Sequence, residues 1–375
     1  MSQDVQEIAA LARELAPETE ATRRLPTPLL DRLRASGLMN AGAPLQDGGL
    51  ELPPGELLRH AATIAAGDAS TGWCVSIAAT SSLLAGYLEP EGRDELFADP
   101  AEIAAGIFAP RGTARPVDGG FVVSGRWPYC SGIEHAGVLF AGCFRAVEGE
   151  PDARALPITV GMPREELEVL DTWHTLGLRG TGSQDCVASE LFVPARRTFS
   201  LFDGPRVDRA LYRFPVFGYF ALSVAAAAMG NARGAIDDFA ELAKVKVGQG
   251  SARTLAERST THAALAEAEA SMQAAEALFD RAVQEAWMAA QDEAPVSVAL
   301  RNGLRIAATN AARTGAAVTG ALFDLAGGPA IYDGAALQRR FRDAHTATAH
   351  FQVGPPSRDI QGRVLLDLQA DTTML

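Results

Sequence analysis

Positive charge is in short supply. The 375-residue chain has 33 lysines and arginines against 46 aspartates and glutamates, a formal net charge of −13. The basic residues are scattered, so no stripe is available to meet a phosphate backbone, and nucleic acid is not an expected partner. Cysteine is scarce too. Cys74, Cys130, Cys143 and Cys186 show no paired spacing, so neither a zinc site nor a disulfide framework is expected, and a cytoplasmic protein with reduced thiols fits best. Only two stretches go far without charge, Ala69–Leu88 and the run from Phe214 to Arg233. Both are rich in Ala, and the first carries Ser70, Thr71, Ser76, Thr80, Ser81 and Ser82. Such runs suit buried core helices better than membrane spans. The acidic start, Met1 to Glu7, has no basic segment leading into an apolar one, so no secretory signal is expected.

What is present is ordinary soluble material: 47% hydrophobic and 21% charged, with length for two or three domains. The first hundred residues read as helices. Thr27-Pro28 opens an apolar face of Leu29, Leu30 and Leu33 that stops at Gly37, and Pro53-Pro54 opens a second with Leu57, Leu58, Ala61, Ile64 and Ala65. Thr71–Leu88 reads as a central helix and Pro90–Phe97 as a short last one. The texture changes near Glu102. Asp118-Gly119-Gly120 is a hairpin signal, and Val138–Phe144, Leu156–Val160, Leu167–Leu170 and Val187–Val193 are further short β-type runs. From about Tyr212 the chain returns to long Ala-rich helices, broken at Gly248–Gly250, Asp292–Pro295 and Gly327–Gly328, which predicts a bundle.

Gly177-Leu-Arg-Gly-Thr-Gly-Ser183 holds three glycines, but their spacing is wrong for a dinucleotide fingerprint and a β-run follows. No direct NADH site is expected. His345 and His350 are no metal pair, since five residues at about 100° each put them about 140° apart on a helix.

The order helices, β-domain, helices, with four local segments, resembles the acyl-CoA dehydrogenase superfamily along essentially the whole chain. The segments are Gly67–Trp73, Gly119–Gly132, Asp171–Ser183 and Arg339–His350. The likeness is nearest to the oxygenase branch, which holds oxygenase components of two-component aromatic hydroxylases, dibenzothiophene monooxygenase and amino-sugar N-oxygenases. It implies an α+β fold: an N-terminal helical domain (1–103), a middle β-barrel domain (104–211) and a C-terminal four-helix bundle (212–375), assembled as a homotetramer.

The resemblance also frames the chemistry. Dehydrogenases of the family follow a similar Arg-Asp-Ala helix with a Glu that removes the substrate α-proton. Aligned from Arg342-Asp343-Ala344, that place falls on Phe351, between His350 and Gln352, and no Asp or Glu lies between Asp343 and Asp359. The alternative place on the first bundle helix, Phe214–Gly230, has no carboxylate either. Losing the base would forfeit about 10²–10⁴-fold in rate. The implied activity is therefore a flavin-dependent monooxygenase. A separate reductase would supply reduced FMN or FAD, and O2 would be captured as a flavin C4a-hydroperoxide to oxygenate a small organic substrate, aromatic or biosynthetic. An acyl-CoA dehydrogenase-type FAD oxidoreductase with a displaced base is the alternative.

Residue roles follow from the same likeness. His350 stands where the branch carries a functional histidine, able to donate a hydrogen bond toward the flavin or to take a substrate proton. Ser131 would offer a hydroxyl to flavin or substrate. Phe108, Trp127, Arg179, Thr181 and Ser183 would border the flavin, although a Trp ending a strand, taken alone, is more often core. Lys246 and Arg253, with Lys244, lie where the family meets phosphate, often across a subunit contact. Trp73 and Ser81 would face the substrate. Phenol hydroxylases of the branch often carry a histidine at the position of Ser81, so a substrate needing that base is not implied.

Overall fold

The computed structural model describes residues 2–375 apart from 148–149, 152–154 and 249. The N-terminal helices are α1 (Ser2–Thr22), α2 (Thr27–Ser36), α3 (Pro54–Gly67), α4 (Ala69–Ser82) and α5 (Pro90–Leu96). Proline in the first turn starts α2, α3 and α5, where its missing N–H costs nothing. Asp68 starts α4: its carboxylate accepts the Thr71 backbone N–H at 2.8 Å and the Thr71 hydroxyl at 2.7 Å. Helix α4 is buried along nearly its whole length, as its lack of charge predicts.

The middle segment holds β1 (Ala104–Val117), β2 (Gly120–Cys130), β3 (Val138–Val147), β4 (Glu150–Pro151), β5 (Ile158–Pro163), β6 (Glu168–Leu170), β7 (Gln184–Pro194) and β8 (Thr198–Phe199). The Asp118-Gly119 hairpin is as read, with Val117 paired to Gly120. The strands form one sheet ordered β6-β7-β2-β1-β3-β5-β8, with β4 on β3. Strands β1 and β3 run parallel and the other pairs antiparallel. Among the described residues the hydrogen-bonded path does not join β6 to β8. The sheet nevertheless curls round toward the expected barrel: only 195–197 separate β7 from β8, which pairs with β5 at the other side of the sheet.

The C-terminal helices are α6 (Ala210–Arg213), α7 (Val216–Val245), α8 (Ser259–Gln291), α9 (Val298–Ala326), α10 (Ala336–Thr348) and α11 (Ser357–Leu365). Helix α7 packs against α9 and also against α3 and α4, so one core runs from the N-terminal helices into the bundle. Arg340 locks that junction. Its buried guanidinium donates to the carbonyls of Ala65, Ala66 and Gly67 at 3.0, 2.6 and 3.0 Å and pairs with Asp238 at 3.0 Å. Those carbonyls are the C-terminal end of α3, which has no helical partner of its own for them. Among the described residues no helix is long and apolar enough to cross a membrane, and no cluster of His, Cys, Asp and Glu could hold a metal.

Candidate active site

All four sequence segments meet around one cavity of about 690 Å³, walled by α4, β1, the end of β2, the 173–183 loop, α7 and the end of α10. Among the described residues no Asp or Glu lines it. Its polar side is a chain of hydroxyls. The Trp73 indole N–H donates to Ser131 Oγ at 3.1 Å, Ser131 and Ser183 lie 2.8 Å apart, Ser183 and Thr181 2.7 Å apart, and Thr181 donates to the Leu178 carbonyl at 2.8 Å. Indole can only donate and a carbonyl can only accept, while each hydroxyl has one proton. The chain therefore has one direction: Ser131 donates to Ser183, and Ser183 to Thr181. Each serine keeps one unused lone pair, so the wall offers acceptors to a ring N–H placed in the cavity.

The loop carrying these hydroxyls is fastened to α10. Leu178 N–H donates to Asp343 at 2.6 Å, and Arg342 donates to the Leu176 carbonyl at 2.8 Å. A side chain at Gly177 would stand 2.4 Å from the Arg342 backbone carbon, so the close approach requires glycine. Burial, then the nearby Asp68 carboxylate, pushes Asp343 up to about 7. From the same loop, Trp173 donates to the Leu178 carbonyl at 2.9 Å.

His350 follows α10. Its ring meets Trp73 edge-on at 5.8 Å and lies 5.0 Å from the Phe351 ring. Burial, then Arg305, pushes its pKa down to about 4, so the imidazole is neutral at pH 7. The Gln352 backbone N–H donates to Nδ1 at 3.4 Å, which assigns the ring hydrogen to Nε2. Phe351, where a dehydrogenase would carry its base, closes an aromatic wall. It lies 5.7 Å from Phe108, and Phe108 is stacked on Phe220 at 5.0 Å.

The cavity brings together Trp73, Ser81, Phe108, Ser131, Thr181, Ser183 and His350. Four expected residues lie elsewhere. Trp127 is 0% exposed and donates to the Gly142 carbonyl at 2.8 Å inside the sheet. It fills the space over Gly112 and Gly125, where a Cβ would stand 2.2 and 2.9 Å from its ring, so it is core, not a flavin wall. Arg179 points outward, donating to Thr175 at 2.8 Å and pairing with Glu20 at 3.5 Å. Lys246 donates to the Ala326 carbonyl, and Arg253 is exposed. Neither reaches the cavity of its own chain.

Sequence reasoning missed Tyr129, Trp173, Arg111 and Asp343. Tyr129 has a left-handed backbone, φ 67°, and faces Trp173 at 6.3 Å across the cavity mouth. A usable signal was present for Trp127 alone: Val123, Gly125 and Trp127 alternate onto the inner face of β2.

Known proteins point the same way. A family model, "Acyl-CoA dehydrogenase, C-terminal domain", matches residues 222–355. Indole-3-acetate monooxygenase of Pseudomonas putida is 31% identical over 339 residues, 90% of this chain and 86% of that one. The flavin-dependent monooxygenase oxygenase subunit HsaA of Mycobacterium tuberculosis is 30% identical over 92% of each chain. XiaF from Streptomyces sp., solved with FADH2 and glycerol, superposes with a TM-score of 0.91 at 26% identity, covering 98% of this chain and 95% of that one. The chain belongs to the flavin-dependent monooxygenases built on the acyl-CoA dehydrogenase fold, as an oxygenase component.

Proposed function

We propose that the cavity takes the ring of a reduced flavin together with a small aromatic substrate, and that one oxygen atom of O2 goes to the substrate while the other leaves as water. The observation that carries this reading is the cavity lining. Among the described residues it holds no carboxylate, and at the place of a dehydrogenase base it has Phe351 beside a neutral His350. Flat aromatic walls and lone pairs on Ser131 and Ser183 suit a planar ring with N–H groups at its edge. When bound, reduced flavin supplies the two electrons that activate O2.

The protein's own residues orient, exclude water and handle protons. Ser131, Ser183 and Thr181 hold the polar edge of the flavin ring, and Phe108 with Phe220 packs beside it. Trp73 and Ser81 face the substrate. Neutral His350 presents Nε2–H as a donor to the reacting oxygen, the kind of aimed dipole that counts most in a dry site. Lys246 and Arg253 lie outside this cavity, so their phosphate role goes with a homotetramer in which they meet a neighbour's flavin. Exposed Tyr332, Leu365 and Leu366 on the helical segment support that assembly, since each is about 70% exposed. The segments 1–103, 104–211 and 212–375 act as three domains around one site. A dehydrogenase reading finds no carboxylate base in the cavity among the described residues.

Rapid mixing of reduced FMN or FAD with oxygen tests the reading. With the protein present, flavin reoxidation is expected to slow and to pass through a phase absent from buffer. With indole-3-acetate as the first substrate, label from ¹⁸O₂ is expected in the product. Reoxidation as fast as in buffer, or bleaching of bound oxidised flavin by an acyl thioester, would overturn it.

A further inference from the structure

Arg305 on α9 is 9% exposed, yet its guanidinium makes no hydrogen bond and no ion pair among the described residues, and its Nε is buried without a partner. Buried charges are ordinarily paired, because an unpaired one costs several kcal/mol. Burial pushes its pKa down only to about 10, so the charge remains at neutral pH. Arg305 looks into a second chamber, also about 690 Å³, lined by Phe217, Arg313, Phe351, Gln352, Ile360 and the last residue, Leu375, among others and, among the described residues, by no Asp or Glu side chain. Arg313 is turned toward the carbonyls of Val353 and Thr348, both at 3.4 Å. Arg313 keeps the N–H groups of its other terminal nitrogen, while every guanidinium donor of Arg305 is uncommitted among the described residues.

This chamber shares Ala349, Phe351 and Gln352 with the active cavity. Phe351, half exposed, stands between the two: it meets Phe108 and His350 on the cavity side and lines the chamber together with Arg305 and Arg313. A molecule with an aromatic ring in the cavity and an anionic arm passing Phe351 would bring that arm to Arg305. The planar guanidinium fork matches a carboxylate's two oxygens.

We propose that the chamber behind Phe351 is a carboxylate site served by Arg305, and that this oxygenase acts on small aromatic acids. This rests on the oxygenase reading above and names its substrate class. A flavin phosphate or a neighbouring subunit's carboxylate would satisfy the same guanidinium, and the test separates the three.

Calorimetric titration of flavin-free protein with phenylacetate and indole-3-acetate, each against its neutral amide, is the experiment. A charge-assisted bond to a buried guanidinium predicts that each acid binds about 10- to 100-fold more tightly than its amide. Arg305→Met should erase that preference and Arg305→Lys should retain part of it, with thermal melts confirming that both fold. If Arg305→Met does not fold, the wild-type preference together with its reduction in Arg305→Lys decides. Equal binding of acid and amide to the wild type, no binding of either acid, or a preference that survives in Arg305→Met would overturn the proposal. So would Arg305→Met weakening oxidised FMN binding while leaving the acid preference intact, which marks a phosphate site, or splitting the assembly in light scattering with that preference intact, which marks a subunit contact. Reoxidation of reduced flavin by the wild-type protein without substrate reports on the oxygenase reading separately.

Discussion

Asp343 does two things at once, and Asp343→Asn separates them. Its oxygen accepts the Leu178 N–H at 2.6 Å, which holds the hydroxyl-bearing loop on α10; removing the acceptor altogether, as in Asp343→Ala, leaves a buried N–H and costs about 1–3 kcal/mol. Its charge is the other matter. Burial raises the carboxyl from 3.8 to about 7, so the folded protein keeps a proton that the unfolded chain has released between those values. Stability from this group is whole below pH 3.8 and is lost as pH rises through about 7. At 1.36 kcal/mol per pH unit the loss is on the order of 4 kcal/mol at most, reduced by whatever relaxation lets Arg339 and Arg342 approach the charge. Asn keeps the acceptor and cannot ionise. Urea unfolding of wild type and Asp343→Asn at pH 5, 7 and 9 should show the variant gaining on the wild type as pH rises to about 7 and holding that gain above it. Parallel curves would refute the reasoning, since they require an Asp343 charge already compensated in the fold.

Low pH should act through the imidazoles. His135 and His350 are both pushed down to about 4, chiefly by burial, so the unfolded chain binds protons first, near 6.5. Stability is whole above pH 6.5 and falls as pH drops toward 4, and His135→Gln should flatten that fall in a pH series of thermal melts. Ser131→Ala strands the Trp73 indole N–H, which is fixed by its ring, at a cost of about 1–3 kcal/mol. Thr181→Val should cost less in the same melts, because the Ser183 hydroxyl can turn to the cavity. Gly177→Ala puts a Cβ 2.4 Å from the Arg342 backbone, so it should lose about 1–3 kcal/mol and weaken flavin binding measured by fluorescence, through displacement of the loop.

What was legible in the sequence is what is decided locally. The bundle helices expected to break at Gly248–Gly250, Asp292–Pro295 and Gly327–Gly328 end at Val245, Gln291 and Ala326, because caps, prolines and glycine breaks act within a turn of where they stand. The hairpin at Asp118-Gly119 and the neighbourhood of Trp73, Ser131, Ser183 and His350 were likewise readable, the latter through the family likeness. What was illegible depends on pieces far apart in the chain. Trp127 and Tyr129 are two residues apart and would share a face in a regular strand, but the left-handed backbone at Tyr129, next to a ladder irregularity between Trp127 and Cys130, sends one into the core and the other to the cavity.

Arg305 is the sharpest case. In Leu300-Arg-Asn-Gly-Leu-Arg305 it reads as one more solvated helical arginine, and its neighbour Arg301 does reach an outward carbonyl, that of Thr372, at 3.0 Å. Arg305 becomes a buried, partnerless charge only because the turn after α10 and helix α11, roughly fifty residues further on, fold over it. A chain under no demand for an anion there would lose little by carrying Leu or Met instead, since apolar replacement of buried charges is often neutral or stabilising. The retained guanidinium, sharing its chamber with Phe351 and, among the described residues, with no acidic side chain, is therefore better explained by something it binds than by the fold it burdens.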